Sequence, residues 1–589
     1  MHRCLWAERF SLLLFRQHSV LPGRTNSIYW EGTMKQFRSV CCLILASILC
    51  LSLLASCGGN SDPDASPSTS AGAASSATED ATYADTIIFS MTSTPTGTFF
   101  LNFGVPDYSG GIAWMVHAPM LVPNASGELE PYLAKSYEVS EDGTVYTFHL
   151  CENAMWNDGE PVTADDVAFT FMQLADPTND GLLKDNALYI KGVQAYRDGT
   201  ADTVEGLRVI DEHTIEITLE QYYSKGLSFI GQVQIYPEHI WAGIPYSEIE
   251  NQDRQMLDYP VGYGPYKVVE FVQGEYVRLE ANEDFFLGAP LTKNIVVKVV
   301  NSDSVSAELM SGSIDIADVT NLTNAELSTL EGQGFDVATC YYDLFQTMSF
   351  NYNKMYYPLE LRKAIQYAID RQGIVDSLLE GRGTVSNMLM TAASWAYPAD
   401  VEGVEQDIDK AKEYLTQAGY VDVNGDGYVE DPNGQPFSME ILYPTGLKVR
   451  EQSAVVFQEN LADIGIKVEL TTSADFSALF DIQAENHHDL FLMGYGVDNV
   501  DPDPSNFITE TYGFDEKAIS LAEEAASTPD EETRKALYKE LAEIIRDNVP
   551  ILCLYNQERA YAYPAELINY EPGTFNQYYN IHKWAIPVQ

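Results

Sequence analysis

The chain has 589 residues, 45% of them hydrophobic and 20% charged, and its 86 Asp and Glu against 34 Lys and Arg give a formal net charge of −52. This composition is globular and the length predicts several domains. So acidic a surface disfavours nucleic acid and anionic membranes as partners, because association is opposed at long range.

Residues 1–33 carry Arg, His and Trp in no periodic pattern, and a second start at Met34 opens a better-formed leader. They are read as an upstream extension that is not translated. From Met34 the order is a charged start, Met34-Lys-Gln-Phe-Arg38, then an apolar run from Val40 to Leu54. That run is short of the roughly 20 residues a spanning helix needs and fits a secretory signal over 34–56. It ends in Leu54-Ala-Ser-Cys57-Gly58, small residues before a cysteine in the manner of a bacterial lipobox, which makes Cys57 the expected site of lipid attachment. Residues 57–84 are rich in Ser, Ala, Asp, Thr and Gly and cannot bury enough apolar area to offset their ordering entropy; they read as a flexible tether. Beyond Cys57 only Cys151, Cys340 and Cys553 remain, an odd and widely spaced set read as buried small apolar residues.

The body alternates strand-like and helix-like periodicity without an internal repeat. Thr163 is expected to cap a helix whose first turn holds Asp165 and Asp166, with Val167, Phe171 and Leu174 on one face. Asp158-Gly159 is a turn signal ahead of it. His213–Leu219 alternates as a half-buried strand, and Gly262-Tyr-Gly264-Pro265 reads as a tight bend using glycine's freedom at two points. Ile295–Val300 is a more fully apolar strand. Leu361, Ala364, Ile365, Ala368 and Ile369 form a helical stripe, as do Ala454, Phe457, Leu461 and Ile464, and later Leu537, Leu541 and Ile545. Ile466–Leu470 is a further strand. The sum is a mixed α/β body of more than one lobe.

Two stretches invite a metal reading. Asp422, Asn424 and Asp426 stand at alternate positions before Gly427, like the front of a calcium loop, but the twelfth position is Asn433 rather than a bidentate Glu; an Asp-Gly hairpin accounts for the pattern as well. His487-His488 could suggest nickel, yet neighbours on a strand would point to opposite faces. The sequence contains no nucleophile elbow, HExxH or P-loop, so no enzyme is expected.

Several blocks together carry a resemblance. They are Glu130-Pro-Tyr-Leu-Ala-Lys-Ser-Tyr137, Trp156-Asn-Asp-Gly-Glu-Pro-Val-Thr-Ala-Asp-Asp-Val167, Gly262-Tyr-Gly-Pro-Tyr-Lys267, Ser311-Gly-Ser-Ile-Asp-Ile-Ala317, Leu361–Arg371 and Lys410–Tyr420. In this order they resemble the family 5 extracellular solute-binding proteins, the dipeptide- and oligopeptide-binding components of ABC importers. The resemblance implies a two-lobed α/β fold of the type II periplasmic-binding-protein kind with an extra N-terminal subdomain. Lobe 1 would comprise 85–320 plus 555–589, with the subdomain inserted at about 118–205, and lobe 2 would comprise 321–554. It further implies a monomer that captures a peptide without a cofactor and delivers it to permease and ATPase subunits, on the outer face of the bacterial cell membrane or facing the periplasm. Oligosaccharides, a nickel chelate or a sensory role are the alternatives.

In peptide-binding members an aspartate just after a Gly-aromatic pair accepts the ligand's α-ammonium, and Gly494-Tyr495-Gly-Val-Asp498 places Asp498 there, beside Tyr495. A basic residue from the region of Lys448 and Arg450, ahead of the helix at Ala454, would meet the ligand carboxylate; an ordinary cation at a helix start reads equally well.

Overall fold

The computed structural model describes residues 82–100, 109–179, 181–473, 476–496 and 500–588. Cys57, the leader, the tether up to residue 81, and Asp498 lie outside the described residues; Ala84, at the tether's end, donates its N–H to the Ile586 carbonyl at 2.8 Å, and Thr82 accepts from the Val588 N–H at 2.9 Å.

The described strands build four sheets, two of them pairing strands distant in the chain. The first body rests on strands Thr86–Met91, Asn294–Val299, Tyr276–Ala281 and Tyr266–Val272, hydrogen-bonded in that order. Its core gathers Ile87, Phe89, Ile295 and Leu279 with Tyr570, Tyr578 and Trp584 from the end of the chain. The alternating Thr214–Thr218 strand belongs to a separate four-stranded antiparallel sheet with Ala134–Val139, Val145–Leu150 and Leu207–Asp211. This sheet buries Phe148, Ile215 and Ile217 against the helix Ala164–Ala175, a core of its own. The second body rests on a seven-stranded mixed sheet in which Phe335–Phe350 lies between Ile551–Pro564 and Leu490–Gly496, followed by Ser438–Pro444 and Lys467–Ser473.

Two of these strands tie the bodies together. Phe335–Phe350 has 16 residues and Ile551–Pro564 has 14, and they pair antiparallel from Phe335↔Pro564 to Ser349↔Ile551 with irregularities at Tyr341/Phe345 and Gln346/Thr347. Their burial changes along their length: Met348 and Phe350 sit in the second body's core, while Ala560, Tyr561 and Ala562 pack on the first body's side. Two long strands crossing in this way form a two-lobed type II architecture.

Local chemistry explains the corner motifs. Asp166 is buried and its carboxylate accepts from the backbone N–H of Thr163 at 2.8 Å and of Glu238 at 2.9 Å, with the Trp156 indole N–H at 3.3 Å. Burial raises its pKa against the pull of these donors. The Trp156–Val167 block thus fixes a turn, a helix start and a buried ring at once.

Four expectations need correction. Gly262 and Gly264 do not use positive φ; a Cβ at Gly264 would sit 2.6 Å from the Met115 carbonyl oxygen, so the glycines permit close backbone approach to the end of the helix Ser109–Val116. The helix expected from Ala454 begins at Lys448 and runs to Asp463, which puts Lys448 and Arg450 in its first turn. His487 and His488 precede the strand Leu490–Gly496 rather than lying on it. Of the three cysteines Cys553 is buried, but Cys151 and Cys340 are only half-buried.

Candidate functional site: the cleft between the two bodies

A cleft of about 670 Å³ lies against the crossing strands. Phe89–Thr92 at the end of the first body's leading strand line one side, Gly446 and Leu447 ahead of the helix Lys448–Asp463 line another, and Tyr342–Leu344 with Gln557, Arg559 and Tyr561 form the part contributed by the crossing strands. Alternate residues of a strand share a face, so one face of Ile551–Pro564 presents an amide, a guanidinium and a phenol in succession. A smaller cavity of about 180 Å³ shares Thr320, Asn321, Leu322 and Gln557 with the cleft and is closed by Arg382 and Lys448.

Arg559 is the cleft's cation. Its guanidinium lies 3.7 Å from the ring centroid of Tyr342 and donates to the Tyr561 hydroxyl at 3.3 Å. The Asp343 carboxylate approaches to 3.9 Å, and the side chain remains 26% exposed. Burial works against its charge, but the surrounding Tyr561, Tyr342, Asp343 and Asp318 outweigh that and hold its pKa above the usual range. Nearby, the Gln557 Oε1 is buried and, among the described residues, without a hydrogen-bond partner.

The residues singled out in the sequence fall in different places. Arg450 is 5% exposed, donates from Nε to the Gln346 side-chain oxygen at 3.0 Å, and occupies the space a Cβ at Gly494 would fill, with Nη2 2.9 Å from that point. Burial lowers its pKa, and among the described residues no carboxylate pairs with it. Tyr495, one residue on, points to the other face of the strand and packs on Phe507 with centroids 4.9 Å apart. Lys448 is exposed at the rim of the smaller cavity. Arg450 and Tyr495 line neither of these cavities.

Val500, Asp501 and Pro502 are each held by a side chain from elsewhere in the chain. The Trp395 indole donates to the Val500 carbonyl at 3.2 Å, Arg534 pairs with Asp501, and the Tyr538 hydroxyl donates to the Pro502 carbonyl at 2.6 Å. The next acid, Asp503, accepts at 3.0 Å from the hydroxyl of Tyr223, a residue of the antiparallel sheet's core.

The calcium-like loop uses its oxygens internally: Asp422 accepts from the N–H of Gly425 and Gly427, Asn424 Oδ1 and Asp426 Oδ1 each accept a backbone N–H, and Asn424 donates to Glu430. Of the two histidines, His487 is exposed and His488 is buried with a pKa lowered by burial. Among the described residues no group of three or more His, Cys, Asp or Glu is placed to share a metal ion, and no helix is long and apolar enough to cross a membrane.

Residues 128–517 match the family described as bacterial extracellular solute-binding proteins, family 5. The chain belongs to this family. The oligopeptide-binding protein AppA of Bacillus subtilis is 28% identical over 501 residues, covering 82% of this chain and 88% of AppA. The solved AppA structure, in complex with a nonapeptide, superposes with a TM-score of 0.73 at 26% identity over 86% of this chain and all of that one. NikZ of Campylobacter jejuni, solved with Ni(L-His), gives a TM-score of 0.71 at 24% identity, over 85% of this chain and 99% of its own, a likeness of fold.

Proposed function

We propose that this family member is the peptide-capturing component of an ABC-type importer, held outside the cell membrane by a lipid on Cys57 and handing its ligand to a permease. The observation that carries the reading is the cleft of about 670 Å³ set where two bodies are joined by two crossing strands. Its size is within the usual range of small-molecule sites, and its walls mix aromatic and polar groups. A ligand that touches both bodies adds contacts only when they are together and so favours their closed arrangement, which a permease would recognise. AppA, the relative solved with a nonapeptide, supports a peptide as that ligand.

Within this reading Asp498 takes the ligand's α-ammonium, with Tyr495 bracing the strand end. A charged amine leaving water needs a charge-assisted partner. Calorimetry on one peptide with a free or an acetylated amine, against wild type and Asp498→Asn, forms a double-mutant cycle. Each change is expected to cost on the order of 2–5 kcal/mol, and the two together little more than one. If neither acetylation nor the substitution alters affinity, Asp498 is a surface acid and the peptide reading loses its residue-level support. Lipid attachment is tested separately: wild type should partition with membranes in a bacterium that processes lipoproteins, and Cys57→Ala should accumulate as uncleaved precursor. A mature wild-type chain beginning upstream of Cys57 would rule the anchor out.

A further inference from the structure

We infer that Arg559, on the C-terminal crossing strand, is the residue that receives a carboxylate of the ligand. The inference rests on the peptide reading above and settles which of the chain's cations performs this task.

Arg382, which with Lys448 closes the smaller cavity, donates from Nη1 to the Thr320 carbonyl and from Nη2 to the Leu322 carbonyl, which leaves three basic side chains to compete. Lys448 stands exposed at the rim of the smaller cavity, at the first residue of a helix. A cation there is opposed by the helix dipole and keeps its water. Arg450 is buried behind Gly494, spends its Nε on Gln346 and lines neither cavity. Arg559 lines the cleft itself. Its plane is fixed by stacking on Tyr342, 3.7 Å away, so little side-chain freedom remains to be lost on binding. A guanidinium has five N–H donors, and among the described residues a single hydrogen bond, to Tyr561, uses one of them. Asp343 at 3.9 Å lies beyond hydrogen-bond reach and is half exposed, which leaves the donor fork open to a planar acceptor.

A second observation points the same way. Gln557, two residues earlier on the same strand face, is 3% exposed, and its Oε1 lacks a partner among the described residues. An isolated buried acceptor is costly unless something donates to it. A peptide whose carboxylate lies on Arg559 carries backbone N–H groups next to it, and one of these would satisfy Gln557. The two groups together form a donor fork and an acceptor on one strand face, matched to the end of a peptide or to an acidic residue within it.

The shared chemistry is a carboxylate, and the test separates its two sources. An alanine-peptide ladder from dipeptide to nonapeptide is titrated into the purified protein, each member as free acid and as C-terminal amide. An amidated set bearing one internal Glu, and the same set with Gln, forms the second arm. Removing the ligand carboxylate is expected to weaken binding to wild type by roughly ten- to a hundredfold, the range for a hydrogen bond to a charged group. In Arg559→Gln that difference should vanish, and Arg559→Lys should retain part of it. Loss on amidation assigns the C-terminus; loss only on Glu-to-Gln exchange assigns a side chain. If wild type ignores both carboxylates, or if Arg559→Gln weakens acid and amide equally, Arg559 is a structural stack on Tyr342 and the inference is overturned. Where Arg559→Gln fails to fold, Arg559→Lys carries the comparison: an acid-to-amide difference as large as in wild type overturns the assignment, and a reduced one supports it. If no member of the ladder binds at all, the peptide reading fails and takes this inference with it, an outcome distinct from binding that is blind to the carboxylate.

Discussion

His117 sits fully buried beside the rings of Phe100 and Tyr236, with centroids 4.9 and 5.1 Å away, and burial pulls its pKa down to about 3. His582 is likewise lowered by burial, to about 4. An unfolded histidine titrates near 6.5. Between that value and the folded one, the unfolded chain binds the proton that the folded chain refuses. Stability is therefore full above about pH 6.5 and falls as the pH drops toward 3. Urea unfolding of wild type and His117→Gln across pH 4 to 7 checks this. The substitution should flatten the acid side by up to about 1.4 kcal/mol per pH unit, whatever it does to stability at neutral pH. Parallel slopes would show that His117 does not carry the acid sensitivity. Residues of this kind are poorly legible in sequence. Asp498 is singled out only by the resemblance of Gly494-Tyr-Gly-Val-Asp498 to peptide-binding relatives, and Arg559 reads as one polar position on a strand. Only the pairing of Phe335–Phe350 with Ile551–Pro564 brings Tyr342 beneath it.

At the scale of elements, periodicity did well where one face is buried and the other wet. Thr214–Thr218 and Asn294–Val299 match their alternating or apolar patterns, and the stripe from Leu361 ends at Ala368, one residue short of Ile369. Ile369 takes extended backbone there because Asp370 caps the next helix, accepting from the Gly373 N–H. The helix at Lys448 was the harder case. Its first turn carries Lys448 and Arg450, which look like a loop's charges, yet Val449 and Arg450 are buried against the seven-stranded sheet. A buried arginine interrupts an apolar stripe, so the periodic pattern starts at Ala454. The glycines of Gly262-Tyr-Gly264 show the converse: their presence was visible, but whether they serve a turn or a close contact depends on a helix far away in the chain.

At the scale of the molecule, the bodies meet at a second place besides the crossing strands. Tyr223 donates to Asp503 at 3.0 Å, the Ser224 N–H donates to the Ala526 carbonyl at 2.9 Å, and Ala526 packs on the core of the four-stranded antiparallel sheet. Tyr223 is itself stacked on Tyr189 at 3.7 Å. Separating the bodies would break these bonds, while Asp503 would regain water. Tyr223→Phe removes the hydroxyl and leaves the carboxylate better solvated apart than together, so the ligand-free population should shift toward separation. Small-angle scattering should give a larger radius of gyration for the variant without ligand, and peptide affinity should fall roughly tenfold. Superimposable curves together with equal affinities would mean the contact forms without governing closure.

The sequence by itself determined the family and the mixed α/β class, because these rest on contiguous blocks and local periodicity. The tertiary structure alone decided which cation faces the cleft, which acid Tyr223 grips, and why particular glycines are required. Each of those depends on partners brought together from distant parts of the chain, and local pattern carries no record of where a strand's face will point once two bodies are joined.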